Sequence, residues 1–304
     1  MLTRRRVLSL AAATAALPLA PRKLWAATTL TAGELRIDTL SDGHLVLPVD
    51  FTLAGLPEAD VAALIARHGL DSGALNPACN LTLLRDGENV VLFDVGSGPD
   101  FMPTAGKLAE ALDLLDLSPE DITHVLITHG HPDHLWGLLD DFDEPVFPDA
   151  DYMIGAAEFD YWTDPATVAA IGEERATFAV GAARRLAVVA DRIRRLADGE
   201  EALPGVTARL TPGHTPGHMA YEIATPDGPV LVAGDAIGNH HIAFDRPDWP
   251  APSDQDPALA AQTRVALMAR LAAEGTTMIG YHLPDGGIGR VEADGAGYRF
   301  VGAL

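Results

Sequence analysis

Residues 128–134 read THGHPDH and bring three histidines and one aspartate into a very short stretch. All four side chains, His129, His131, Asp133 and His134, are of types that bind divalent metal ions. A single histidine next to a strand is usually a hydrogen-bonded structural residue. Four ligand-type side chains around one proline are better explained by a metal site.

The sequence around this motif predicts how the four side chains are arranged. The apolar run HVLIT at 124–128 is typical of a strand, and His129 and His131, two apart in extended backbone, point the same way. The proline between the two pairs ends the strand. Asp133 and His134 then begin a helix that faces the same crevice from another direction. Two ligand pairs at different angles suit two adjacent ions better than one.

Three further candidate ligands each follow an apolar run later in the chain. His214 lies in a Thr-Pro-Gly turn, Asp235 follows PVLVAG, and His282 follows TTMIGY. Ligand sites in α/β proteins commonly form at strand ends of this kind. Imidazole nitrogens combined with carboxylate oxygens favour zinc, with manganese, iron or cobalt as alternatives.

Strand-like and helix-like segments alternate along the rest of the chain. The predicted strands include 81–84, 89–95 and 124–128. The predicted helices are 56–68, 104–115, one or two within 165–197, and 256–274. No linker divides these segments, so we expect residues 28–304 to form one α/β domain with mixed sheets.

The charge balance excludes some classes of partner. The 304 residues carry 43 acidic and 21 basic side chains, a net charge of −22. So acidic a surface repels phosphate backbones and anionic lipids, which argues against binding nucleic acid or a membrane surface. Cys79 is the only cysteine, so no intramolecular disulfide can form.

Residues 1–27 differ in composition from the rest. TRRRVL at 3–8 precedes an alanine-rich apolar run that is too short for a comfortable membrane-spanning helix. This pattern is typical of a twin-arginine signal peptide, so we expect export to the periplasm or beyond, with cleavage near Ala26 or Ala27 and no membrane attachment afterwards. An uncleaved anchor is the alternative. Because the segment holds five basic residues and no acidic one, the mature chain would carry −22 − 5 = −27.

The ordered motifs resemble the metallo-β-lactamase superfamily over nearly the whole chain after the first 30 residues: H-x-H-x-D-H, a histidine in TPGH, an aspartate after glycine, and a final histidine. The resemblance implies an αβ/βα four-layer sandwich with two metal ions in a cleft between its sheets. It implies that one ion is bound by His129, His131 and His214, the other by Asp133, His134 and His282, and both by Asp235. LFDVGSG at 92–98 resembles the family's D-x-G element, which implies that Asp94 supports a ligand histidine.

This ligand set predicts hydrolysis. Two divalent ions roughly 3.5 Å apart can share one hydroxide, lower the pKa of the bound water and polarise a carbonyl or phosphoryl oxygen. We assign Asp133 and Asp235 to catalysis, Asp133 as a proton acceptor or an aid to the leaving group and Asp235 as the bridging ligand. No G-x-S-x-G element competes, and Cys79 lacks an obvious base, so metal-activated water is the expected nucleophile.

The C-terminal segment HLPDGGIGRVEADGAGYRFV at 282–301 resembles methyl parathion hydrolase and its lactonase and arylesterase relatives. It lacks the aromatic residue that those relatives commonly carry after the His-Leu pair, so phosphotriester hydrolysis is expected only as a side activity. A chain this acidic favours small neutral lactones or aryl esters over anions. The candidate pocket residues are Phe159, Tyr161, Trp162, Phe178, His240 and His241. The near-helical spacing of the aromatic ones is also typical of core residues.

Two other functions are compatible with the motifs. One is a mononuclear-iron thiol or persulfide dioxygenase of the same fold, although such enzymes tend to lack a histidine at the position of His134. The other is a catalytically silent, metal-stabilised binding protein, although no ligand is missing from the set. A homodimer would be common in this branch, but no residue pattern establishes one.

Overall fold

The computed structural model describes residues 28–71 and 73–303. The predicted signal peptide at 1–27 lies outside the described residues, and export remains a prediction. Within the described ranges, no helix combines the length and the hydropathy needed to cross a bilayer.

Strands make up most of the scaffold. They are β1 (Thr28–Ala32), β2 (Leu35–His44), β3 (Leu47–Pro48), β4 (Ala74–Leu75), β5 (Ala78–Arg85), β6 (Val90–Phe93), β7 (His124–Ile127), β8 (Asp151–Gly155), β9 (Ile193–Leu196), β10 (Glu201–Leu203), β11 (Val206–Leu210), β12 (Met219–Ile223), β13 (Val230–Val232), β14 (Thr277–Ile279), β15 (Ile288–Asp294) and β16 (Gly297–Gly302). The helices are α1 (Val49–Thr52), α2 (Glu58–His68), α3 (Leu108–Asp113), α4 (Pro132–Leu135), α5 (Ala156–Thr163), α6 (Thr167–Ala170), α7 (Ala176–Val189), α8 (Ile242–Asp245) and α9 (Pro257–Glu274).

Two seven-stranded mixed sheets form the centre of the molecule, in the orders β1-β2-β5-β6-β7-β8-β9 and β10-β11-β12-β13-β14-β15-β16. In the first, β6 to β9 run parallel; in the second, only β13 and β14 do. Short β3 and β4 pair separately.

Side chains on β7 explain why this arrangement has four layers. Leu126 points into the apolar layer between the two sheets, whereas its neighbours Val125 and Ile127 pack on the opposite side, against residues of α3, α5 and α7. Alternation of this kind is the consequence of the two-residue repeat of a strand. The other sheet is covered by α9, whose Leu267, Met268 and Leu271 are buried against it. The αβ/βα sandwich predicted from the sequence is confirmed.

Two predicted helices differ from the structure. The one expected over 104–115 is reduced to α3, because the buried Asp42 carboxylate accepts hydrogen bonds from the backbone N–H groups of Gly106 and Lys107, which precede the helix, and of Leu108, its first residue. The segment 165–197 forms α6 and α7 but ends in a strand, β9. Its buried Ile193 and Leu196 flank two exposed arginines, a pattern that does not separate strand from helix by sequence alone.

Candidate metal centre and substrate cavity

The HxHxDH motif lies where β7 gives way to α4, as its sequence predicted. The Nε2 atom of His129 lies 3.0 Å from Nδ1 of His131, which lies 2.9 Å from Nε2 of His214. His214 comes from the loop between β11 and β12, in the opposite sheet. The structure therefore brings together the three imidazoles that were expected to bind one ion.

The remaining candidate ligands surround Asp235, which follows β13 in a 3-10 turn. The Oδ1 atom of Asp235 lies 3.4 Å from Nε2 of His134, and its Oδ2 lies 3.3 Å from Nε2 of both His214 and His282. The Oδ2 atom of Asp133 lies 3.2 Å from Nε2 of His282 and 3.5 Å from Nε2 of His134. Asp235 thus contacts histidines of both expected groups, as a bridging ligand would. The seven side chains are called the ligand cluster below: His129, His131, Asp133, His134, His214, Asp235 and His282.

Two atoms of the ligand cluster are buried without a hydrogen-bond partner. They are Nε2 of His134 and Oδ1 of Asp235, and no residue in the described part of the chain satisfies either. The two atoms face each other at 3.4 Å without the geometry of a hydrogen bond, as two ligands of one ion would. The ligand cluster offers five imidazoles and two carboxylates that converge on one region. This donor set fits two divalent ions such as zinc.

The protonation of the imidazoles also fits metal binding. Burial and the neighbouring histidines hold the pKa of His129 and His131 well below the ordinary value, so both rings are neutral and can offer lone pairs. Burial would lower the pKa of His134 too, but the carboxylates of Asp235, Asp133 and Asp94 outweigh it and raise that pKa to about 10. Without a cation, a proton on His134 therefore balances the carboxylates; an ion would replace it.

Asp94 occupies the supporting position that the sequence predicted. It accepts hydrogen bonds from the backbone N–H and the hydroxyl of Thr128, at 2.7 and 2.8 Å, and its Oδ2 lies 2.8 Å from Nδ1 of His134. It therefore fixes the orientation of the His134 ring, so that Nε2 points into the ligand cluster.

Two further residues hold ligands in place, and one of them, Asp254, was missed from the sequence. Asp254 lies 3.0 Å from Nδ1 of His214 and is itself contacted by the buried Arg264 at 3.4 Å. His218 accepts a hydrogen bond from the backbone N–H of Asp235 at 2.9 Å. Asp254 lies 40 positions from His214 and no motif marks it, whereas His218 ends a second TPGH stretch directly after that of His214.

Glu158 links the loop that carries His129 and His131 to the loop that carries His214. Its carboxylate is fully buried and accepts hydrogen bonds from the backbone N–H groups of Gly130 and Gly217, the hydroxyl of Thr215 and the indole of Trp162. Because Gly130 lies between two ligands and Thr215 follows a third, this one carboxylate sets the relative position of the loops.

The pocket predictions for α5 were wrong. Trp162 is 1% exposed and is occupied by its bond to Glu158, while Phe159 is 4% exposed beneath the Arg195 guanidinium. Neither lines the cavity above the ligand cluster, and Tyr161 does not line it either. The helix turns its aromatic face to the core because that face packs on α7.

A cavity of about 450 Å³ opens above the ligand cluster. His131, Asp133, His214, Asp235 and His282 lie on its floor. Its apolar sides, called the cavity wall below, are formed by Leu45, Leu47, Phe51, Phe101, Phe178 and Trp249. His240 and His241 line the same cavity, as the sequence suggested.

Comparison with known proteins places this site in a family. The family model described as the metallo-beta-lactamase superfamily matches residues 76–276. The chain belongs to this superfamily. The matched region begins just before β5 and includes all but one residue of the ligand cluster, His282.

Named relatives share this fold. The chain is 27% identical over 201 residues to an N-acyl homoserine lactonase of a Bacillus species, an overlap of 65% of this chain and 68% of the relative. It superposes with a TM-score of 0.86 on the hydrolase AbOPH of the β-lactamase superfamily, at 27% identity and covering 93% and 99% of the two chains. The dizinc quorum-quenching lactonase AidC, solved with a product, also gives 0.86, at 23% identity and 91% and 97% coverage.

One feature of this site was not expected from the sequence. The Cys79 sulfur lies within 4.8 Å of ligand atoms of Asp133 and His282. Burial raises the pKa of the Cys79 thiol to about 12, so the thiol stays protonated and uncharged near neutral pH. Family and ligand cluster together support a metal-dependent hydrolase.

Proposed function

We propose that the protein is a dinuclear metal-dependent hydrolase that opens small neutral lactones or cleaves aryl esters, with phosphotriesters as a side activity. The observation that carries this proposal is the position of the ligand cluster. Its donor atoms converge at the floor of a cavity whose sides are apolar. An ester bond placed at this floor would leave its hydrocarbon part against the cavity wall.

The character of the cavity supports a neutral substrate with an apolar substituent. Leucine and aromatic side chains of the cavity wall offer dispersion contacts and release water, and they provide no partner for a charged group. The two arginines of the lining are already engaged, Arg175 with the carbonyl of Pro252 and Arg264 with Asp254. Among the named relatives, two are described as lactonases, one of them of N-acyl homoserine lactones. An acyl-homoserine lactone is therefore the first substrate to test.

The chain's own residues supply the binding and proton-transfer functions. When bound, two divalent ions would act as Lewis acids and lower the pKa of a water molecule. His129, His131 and His214 would hold one ion, Asp133, His134 and His282 the other, and Asp235 both. The Asp133 carboxylate, which faces the cavity, is placed to take a proton from water and return it to the leaving oxygen. The cavity wall excludes bulk water around the ester.

Hydrolysis assays test this proposal. Initial rates would be measured for N-hexanoyl homoserine lactone, an aromatic lactone, an aryl ester and a dimethyl aryl phosphotriester, before chelation, after chelation and after return of zinc. We expect lactone or aryl-ester hydrolysis that chelation abolishes and zinc restores. The variant His214→Asn should lose this activity. The matched variant His124→Asn should keep it, because the His124 ring lies at the start of β7, is hydrogen-bonded to Thr123 and does not line the cavity.

Flat rates for all four substrates would contradict the proposal. Iron content and oxygen consumption with a persulfide would then test the dioxygenase alternative. Equal rates before and after complete chelation would contradict the metal-dependent chemistry itself.

A further inference from the structure

Two histidines of the cavity, His240 and His241, do not belong to the ligand cluster. His241 is the better defined of the two. It precedes α8, and its Nδ1 accepts a hydrogen bond from the backbone N–H of Ile242 at 3.0 Å. A ring nitrogen that accepts a hydrogen bond carries no hydrogen of its own.

The charge state of the ring follows from its surroundings. Burial, together with the nearby rings of His240 and His68, lowers the pKa of His241 to about 3. His68 is paired with Asp245 at 2.9 Å, so that carboxylate is already engaged. A neutral imidazole has one N–H group, and because Nδ1 is the acceptor, that group is Nε2–H.

The Nε2–H group is a hydrogen-bond donor without a partner. Within residues 28–71 and 73–303, no atom accepts a hydrogen bond from this group. Unlike Nε2 of His134, it is not fully enclosed by protein atoms. His241 lines the cavity above the ligand cluster but not the adjoining polar cavity near Arg67. The free donor therefore faces the space where a substrate would lie.

We propose that His241 contacts the substrate and donates its Nε2–H to a neutral acceptor oxygen of the bound lactone or ester. This inference rests on the proposed function and adds a residue that does not bind metal. A donor fixed in advance in a poorly hydrated cavity stabilises negative charge on a carbonyl oxygen more effectively than water can. A neutral donor also avoids strong retention of the carboxylate product.

Two substitutions at His241 separate this role from a structural one. Asparagine keeps an oxygen near the position of Nδ1, which can still accept the Ile242 N–H, but it removes the distal donor. Glutamine places an amide N–H near the position of Nε2. With N-hexanoyl homoserine lactone, we expect His241→Asn to lower kcat/KM by about tenfold to a hundredfold. We expect His241→Gln to recover most of it, and zinc content to stay at the level of the unchanged protein in both.

The division between kcat and KM locates the acceptor oxygen. A fall in kcat places it on the reacting carbonyl, and a rise in KM places it elsewhere on the substrate. An unchanged kcat/KM in His241→Asn, with full zinc content, would overturn the inference while leaving the proposed function intact.

A second measurement does not depend on turnover. In zinc-loaded, ¹⁵N-histidine-labelled protein, the His241 ring is assigned by its loss in His241→Asn. We expect the Nε2–H tautomer between pH 6 and 8, and a shift of that proton when the slowly hydrolysed lactam N-hexanoyl-3-amino-2-pyrrolidinone is added. The Nδ1–H tautomer, or no shift at saturating lactam, would overturn the inference. A shift without hydrolysis of any ester would support it and contradict the proposed function.

Discussion

The ligand cluster and the cavity wall lie side by side but are built differently. The residues of the ligand cluster lie just after strands of the two sheets, and hydrogen bonds orient several of them, as Asp94 fixes His134 and Asp254 fixes His214. The cavity wall comes from loops and from the ends of several elements. Leu45, Leu47, Phe101 and Phe178 pack against the core beside the first sheet, whereas Trp249 packs in a separate small apolar cluster. We infer that chemistry resides in the rigid, hydrogen-bonded ligand cluster and substrate preference in the apolar cavity wall.

The largest effect on activity is expected from substituting Asp235, the bridging residue of the ligand cluster. Asp235→Asn removes the carboxylate charge that lies 3.3–3.4 Å from three histidines. We expect a loss of about a thousandfold or more in kcat, with weaker retention of metal, measured by steady-state kinetics and by metal analysis of the same sample. Activity within tenfold of the unchanged protein would contradict the bridging role.

Glu158 tests whether the rigid part depends on its buried support. Glu158→Ala leaves the N–H groups of Gly130, Gly217 and Trp162 and the Thr215 hydroxyl without their acceptor. We expect the free energy of unfolding to fall by about 3 kcal/mol, measured by urea denaturation of the metal-free protein. The exposed Glu174→Ala serves as the matched control and should change it by less than about 0.5 kcal/mol. Equal effects of the two substitutions would show that Glu158 does not stabilise the loops of the ligand cluster.

A substitution of Asp254 tests whether the hydrogen bond to His214 matters for metal binding. Asp254→Asn keeps the shape of the side chain but removes the charge that orients His214. We expect zinc affinity to fall by about tenfold to a hundredfold, measured by competition with a chromogenic chelator. Asp256→Asn, at the start of α9, keeps its hydrogen bond to the Leu259 N–H and should leave affinity unchanged. An affinity loss shared by both variants would point to a general effect of charge.

The smallest effect is expected in the cavity wall. Phe178 lines the cavity but supplies no ligand. Phe178→Ala should raise KM for a long-chain acyl-homoserine lactone by about fivefold to tenfold, and less for a short-chain one, because it removes apolar contact from the chain. Zinc affinity should not change. Equal effects on short and long chains would show that Phe178 does not contact the acyl group.

The same contrast explains what the sequence could predict. His129, His131, His214 and Asp235 were recognisable because each stands after an apolar run and in a turn with few alternatives. Trp162 and Phe159 were misassigned, since helical spacing alone does not tell which face meets the core and which meets a cavity. Asp254 and Glu158 were invisible because their roles depend on contacts with residues 40 and 28 to 59 positions away. A local motif indicates which residues bind the metal. The residues that support those ligands, and those that line the cavity, are defined only by tertiary packing.

The most direct test of the central claim is a zinc titration of the chelated protein followed by its rate on N-hexanoyl homoserine lactone. If the ligand cluster holds two ions that act together, activity should rise from near zero and reach its plateau at two equivalents of zinc per chain. A plateau at one equivalent would contradict the dinuclear centre. A rate that does not depend on zinc would contradict metal-dependent hydrolysis altogether.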